Sequence, residues 1–294
     1  MSVLYPNPSP GAARSATIPW VVACPGLGQT PTGLHPRLFA HARDVANVLV
    51  IRFPVGACWT VPSMSSAAWA EVHRYIPPAS TAPIILLGYS MGGFIVEVMA
   101  TSAKEPCLPR VAGVIMLGSF LVQGRTLGIN HLPDLRAMIQ DHADTQRLGR
   151  SSPTTPRKAH LRYMFPQSYL RAVSPLVRHT LLPQFIRTQR LPVRARVAQI
   201  AAVVAWLVGT ACGAVVRPGK GPPEIRVPVL MILGDNDIVV PPAAAKIEHV
   251  PTVRTVILPG VGHGLLVQSM EPVSALIGDF VAEHAAGWTQ GGDS

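Results

Sequence analysis

Cysteine is scarce: the chain holds four, Cys24, Cys58, Cys107 and Cys212, widely separated and with no Cys-x-x-Cys pair. That spacing excludes a zinc ribbon and a disulfide-dense scaffold, and makes a reducing, cytoplasmic or other intracellular compartment the default expectation. Charge is also sparse, at 14% of residues against 48% hydrophobic, a balance that excludes disorder for most of the 294 residues and allows a large buried core. No internal repeat is present. The 30 prolines are scattered instead of forming a tract, so a loop-rich α/β protein is expected in place of a long helical array. The first 20 residues lack the charged start and apolar run of a secretory signal; Arg14 and several serines give only slight support to a transit peptide. The closing Gly-Gly-Asp-Ser matches no retention or lipidation signal.

Acidic residues are scarcest in the middle. Residues 121–226 carry 16 basic against 4 acidic side chains, and the remainder 9 basic against 11 acidic, so one segment carries the whole net charge of +10. An anionic acyl substrate or an acidic lipid surface is the partner that this asymmetry suggests. Nucleic acid is not expected, because no recognised binding motif accompanies the charge.

Apolar runs are short, and each is closed by glycine, proline or aspartate. Residues 20–24, 48–53, 84–87, 111–117, 227–233 and 253–258 read as buried parallel strands. Between them, residues 34–46, 63–75, 91–103 and 273–284 have helical spacing of apolar positions, the alternation expected of a doubly wound sheet. It breaks over residues 121–226, where charged helical pieces, prolines and the cluster Tyr163, Met164, Phe165 and Tyr169 replace it. This stretch reads as an inserted, mostly helical cap between core segments 1–120 and 227–294. Within it, residues 197–216 form an uncharged run of bilayer length. A crossing there would strand half of one sheet on each side of a membrane, and Gly209 and Gly213 weaken a continuous helix, so a buried cap helix is expected instead.

Gly88-Tyr89-Ser90-Met91-Gly92 has the form Gly-x-Ser-x-Gly, a pattern that arises by chance roughly 0.1 times in a chain of this length. Its context makes it informative. A strand-like run precedes it and a helix-like run follows, so Ser90 stands on a sharp strand-to-helix turn whose closure demands small residues two before and two after. A serine hydroxyl is a poor nucleophile at neutral pH and needs a base, which in turn needs an orienting acid. Residues 234–241, Gly-Asp-Asn-Asp-Ile-Val-Val-Pro, follow one late strand and offer two carboxylates, Asp235 and Asp237. Residues 259–264, Pro-Gly-Val-Gly-His-Gly, follow the next and offer His263. Both loops lie beyond the carboxyl ends of strands, where open α/β sheets place ligands. His249 and His284 read as surface residues of flanking helices, and Cys24 as a small buried hydrophobe.

With its Gly-Tyr-Ser-Met-Gly-Gly elbow and the order Ser, Asp, His, the sequence resembles the α/β-hydrolase superfamily over nearly its whole length, in particular the esterase, lactonase and lipase-like branch. The resemblance implies an α/β fold with a mainly parallel sheet, helices on both faces, and a cap after the sixth strand of that fold. It implies Ser90 as nucleophile, His263 as general base and, three residues after Gly234, Asp237 as the acid, with Asp235 the alternative. The oxyanion hole would join the N–H of Met91 to that of Leu27. Many relatives have His-Gly where this chain has Pro25-Gly26, and the short N-terminal stretch leaves little room for the family's first two antiparallel strands. The implied reaction is hydrolysis of a carboxylic ester, thioester or lactone through an acyl-enzyme, requiring no metal or organic cofactor. A serine peptidase or acyltransferase would use the same residues, and a binding protein on an inactive hydrolase fold would tolerate their loss.

Overall fold

The computed structural model describes residues 2–5, 18–53, 60–77, 80–102, 107, 110–121, 161–162, 164–178, 182, 193–211, 225–245 and 252–286. Cys58, Arg157, Tyr163, Cys212 and His249 lie outside them. Seven strands form one sheet: β1 (Val3–Tyr5), β2 (Trp20–Cys24), β3 (Asn47–Val50), β4 (Ile84–Tyr89), β5 (Val111–Leu117), β6 (Val229–Gly234) and β7 (Val253–Leu258), in the order β1-β3-β2-β4-β5-β6-β7. All neighbours are parallel except β1, which runs antiparallel to β3 with Leu4 opposite Leu49.

The central strands are buried on both faces, which is why they read as unbroken apolar runs and not as alternations. Successive side chains still go to opposite layers. Trp20, Val22, Cys24, Ile84 and Leu86 join one core, while Val21, Ala23, Ile85, Leu87 and Tyr89 join the other. The first core is covered by α1 (Val61–Tyr75) and α2 (Met91–Ala100), the second by α5 (Leu265–Gln268) and α6 (Met270–Ala286). Helix α1 starts at a reciprocal capping box, Thr60 Oγ1 accepting from Ser63 N–H and Ser63 Oγ from Thr60 N–H, with Pro62 in the first turn, where its missing donor costs nothing.

Two expectations about elements need correction. Residues 34–46 are not one α-helix; the stretch holds two short 3-10 turns, Pro36–Phe39 and Ala42–Asp44. His35 is extended, with ψ 143°, as a residue before proline is driven to be, so no helix runs through Pro36 from residue 34. Consecutive turns still deliver Leu34, Leu38, Phe39 and Ala42 fully buried onto the sheet, which accounts for the helical spacing. The amino edge also holds a strand, β1, not foreseen from the sequence. Among the described residues it is the one antiparallel strand, where the resemblance implies two.

Between β5 and β6 the described pieces include α3 (Gln167–Ala172) and α4 (Val193–Ala211). Met164, Phe165, Tyr169, Leu161, Leu170 and Leu182 form a small apolar cluster of their own, with Phe165 stacked on Tyr169. Helix α4 occupies the first part of the uncharged run 197–216. Among the described residues no helix is long and apolar enough to cross a membrane.

Candidate active site

The chain from β2 to β3 moves to one side of the sheet, and α1 then carries it back across β2 to β4. The carboxyl ends of β2 and β4 therefore adjoin at the point where strand order reverses, the place where open α/β sheets bind ligands. Ser90 follows β4 with φ 51° and ψ −119°, and among the described residues it is the one non-glycine with positive φ. Such strain persists only where its surroundings enforce it. Ser90 N–H donates to Leu117 O at 2.8 Å and Gly93 N–H to Ser90 O at 2.9 Å. A Cβ on Gly88 would lie 2.3 Å from Gly92 O, and one on Gly92 would lie 2.1 Å from Cys24 O. Both contacts are with backbone that cannot yield, so the elbow requires glycine on each side.

The two late loops meet above this turn. Asn236 N–H donates to Val261 O at 2.9 Å, and a Cβ on Gly234 would lie 2.1 Å from the same oxygen. The close approach brings Asp237 to His263, whose Nδ1 is 2.8 Å from Asp237 Oδ2 and whose Nε2 is 2.9 Å from Ser90 Oγ. Asp237 Oδ1 accepts from the N–H groups of Val239 and Val240, both at 2.8 Å, which fixes the carboxylate with Oδ2 toward the ring. Because a carboxylate can only accept, Nδ1 carries the proton and Nε2 receives the Ser90 hydroxyl. Asp237 and His263 are buried and Ser90 is partly exposed. Asp235 is exposed, and its carboxylate is engaged by Asn236 Nδ2 at 2.7 Å. The carboxylate on His263 is therefore that of Asp237.

Residues 26–29, after β2, form a tight turn closed by Gln29 N–H to Gly26 O at 3.2 Å. Its third residue, Gly28, has φ +71°, as a type II turn needs at that position. Neither Leu27 N–H nor Met91 N–H, the latter at the first position of α2, has a partner among the described residues. A helix's first N–H groups have no acceptor within the helix and favour negative charge.

A family model described as the alpha/beta hydrolase family matches residues 12–276. The chain belongs to that family. No curated protein matches it in sequence. An alpha/beta hydrolase fold protein from Chitinophaga pinensis is 19% identical, with 95% of this chain and 92% of that one covered at a TM-score of 0.67. A thermophilic esterase from Thermogutta terrifontis is 18% identical, with 97% and 93% covered at 0.63. The enol-lactonase from Burkholderia xenovorans LB400 is 16% identical, with 96% of each chain covered at 0.60. At these identities the likeness is one of fold.

In this α/β-hydrolase the residue before Ser90 also supports the histidine, which motif reading missed. Tyr89 Oη donates to the His263 carbonyl at 2.8 Å, and its ring stacks on the imidazole with centroids 5.6 Å apart. Burial first, and the negative charge of Asp237 second, push the phenol well above its ordinary range, so the hydroxyl stays a donor at physiological pH. Tyr89→Phe leaves that buried carbonyl without its partner and is expected to lower unfolding free energy by about 1–3 kcal/mol, read from denaturant midpoints. Cys24 fits the expectation of a small hydrophobe: it is buried, and burial raises its thiol far from ionisation. His284 lies on α6 against Phe280, with ring centroids 4.3 Å apart.

Residues between β5 and β6 dock on the loop that carries His263. Gly264 N–H donates to Met164 O at 2.6 Å. Cβ atoms on Gly262 and Gly264 would meet Pro166 at 2.6 Å and Phe165 at 2.3 Å, so the glycines flanking His263 make room for this docking. Helix α4 adds Ala202, Trp206 and Leu207 to the core that contains Met91, Phe94, Phe120 and Val240. Arg162 and Arg171 stand exposed.

Proposed function

We propose that this protein is a serine hydrolase cleaving carboxylic esters, thioesters or lactones, with Ser90 as nucleophile, His263 as general base and Asp237 as the acid that orients it. The observation carrying this reading is the continuous contact from Ser90 Oγ through both ring nitrogens of His263 to Asp237 Oδ2, at 2.9 and 2.8 Å. Attack of Ser90 Oγ on the substrate carbonyl forms the new C–O bond while His263 Nε2 takes the hydroxyl proton. The N–H groups of Leu27 and Met91 receive the oxyanion, and His263 then protonates the leaving oxygen or sulfur. Water, deprotonated by the same imidazole, releases the acyl group and restores Ser90. Residues 121–226 serve as a cap in this reading, supported by the hydrogen bond of Met164 with the His263 loop and that of Gln199, on α4, with the turn at 26–29. The esterase and the lactonase among the similar structures agree with this class of bond.

Peptidase or acyltransferase activity would begin with the same acyl-enzyme step. The test is a fluorophosphonate probe, which reacts with an activated serine, followed by mapping of the labelled peptide. Labelling at Ser90, blocked by prior heat denaturation and accompanied by hydrolysis of p-nitrophenyl butyrate, is the expected result. Absence of label at Ser90 in folded, pure protein would overturn the assignment and leave a binding role on a hydrolase fold.

A further inference from the structure

Gln199 is the one carboxamide in the uncharged run 197–216. It sits on the face of α4 that also buries Ala202 and Trp206, and it is itself 3% exposed. A polar side chain on a buried helix face is costly unless paired. Its partner lies 171 residues away in sequence: Gly28 N–H donates to Gln199 Oε1 at 2.7 Å. That N–H belongs to the central peptide of the turn at 26–29, whose preceding residue is Leu27.

The turn presents three successive N–H groups. Gly26 N–H is taken by Gln29 Oε1 at 3.1 Å and Gly28 N–H by Gln199 Oε1. Leu27 N–H, between them, has no partner among the described residues. Two carboxamides thus hold the neighbours of the one donor left open. Type I and type II turns differ by rotation of the central peptide, and Gly28, lacking a Cβ, offers no steric resistance to that rotation. Holding its N–H from α4 selects the observed form.

We propose that Gln199 is a positioning residue for the oxyanion donor Leu27, so that the hole is aimed correctly only while α4 is seated on the turn. This rests on the serine hydrolase reading above. Gln199 touches neither Ser90 nor the reacting carbonyl; it acts through Gly28. Oxyanion donors must reach about 2.7–3.1 Å from where the charge forms, so a displacement of a few tenths of an ångström weakens stabilisation of the transition state and leaves substrate binding nearly unchanged.

Gln199→Met keeps the length of the side chain and removes the acceptor oxygen. Gln199→Asn keeps the amide but is one carbon too short to hold the contact. Activity is measured with p-nitrophenyl butyrate and divided by the number of Ser90 sites titrated to completion with fluorophosphonate, which removes any loss of folded protein from the comparison. In both variants kcat per titrated site is expected to fall about 10- to 100-fold, with KM within about three-fold. A trifluoromethyl ketone, whose adduct with Ser90 places an oxyanion in the hole, should lose affinity by the same factor as kcat/KM. Val197→Ala, on the exposed face of α4, should change neither quantity. Unchanged kcat per site and ketone affinity in both variants would overturn the proposal, as would a fall only in the number of titratable sites, which marks Gln199 as packing alone. Failure of the wild-type protein to label at Ser90 would remove the hydrolase reading and this inference together.

Discussion

Ser90→Ala is expected to lower turnover of an aryl ester by on the order of 10⁶, the scale seen when a nucleophilic serine is removed from a cooperating triad. The elbow itself should survive. Its shape is enforced by Gly88 against Gly92 and by Gly92 against the Cys24 carbonyl, and Ser90 contributes its backbone N–H to Leu117 O independently of the side chain. The lost oxygen leaves His263 Nε2 facing a partly exposed position, where water can take its place. Thermal unfolding should therefore change little while fluorophosphonate labelling disappears. Residual activity above about a tenth of wild type in pure protein would contradict the nucleophile assignment, because a loss of that size is far below what a missing nucleophile produces.

Asp237→Asn should cost about 10⁴ in kcat. The mechanism is a change of tautomer. Asp237 Oδ1 is committed to the N–H groups of Val239 and Val240, so an asparagine placed there keeps its oxygen on them and turns its NH₂ toward His263 Nδ1. A donor facing Nδ1 favours the tautomer protonated at Nε2, which can no longer accept the Ser90 proton. The fold should tolerate the exchange, since the side chains match in shape. Asp235→Asn should leave kcat within about three-fold, as expected of an exposed carboxylate remote from the transition state. Steady-state kinetics of the two variants side by side decide the matter, and the opposite ranking would move the acid to Asp235.

Much of this site was legible in the sequence because its demands are local. The elbow needs small residues at fixed offsets, and Gly88 and Gly92 stand there. Parallel strands buried on both faces must be continuous apolar runs, and all six runs read as strands are strands, with ends displaced by a few residues; β7 alone is not buried as expected, because it lies at the sheet edge with Arg254, Thr255 and Ile257 exposed. His263 stood out between two glycines just beyond a late strand. The 3-10 turns within 34–46 were misread as one helix because an apolar residue every three or four positions is served equally by one α-helix or by consecutive tighter turns. Strand β1 is only three residues long and acquires its identity from pairing with β3, more than forty residues away.

The sequence by itself determined the order of the six parallel strands, the helices near residues 63–75, 91–103 and 273–284, and the strained turn at Ser90. Each follows from side-chain periodicity or from backbone conformations that only particular neighbours permit. Tertiary structure alone brings Asp237, and not Asp235, against His263: the two follow the same strand two residues apart and differ in which one the contact between Asn236 and Val261 turns toward the ring. It also decided the partners of Tyr89 and Gln199, because a hydrogen bond across 174 or 171 residues depends on how separate segments dock, and no local spacing encodes that distance.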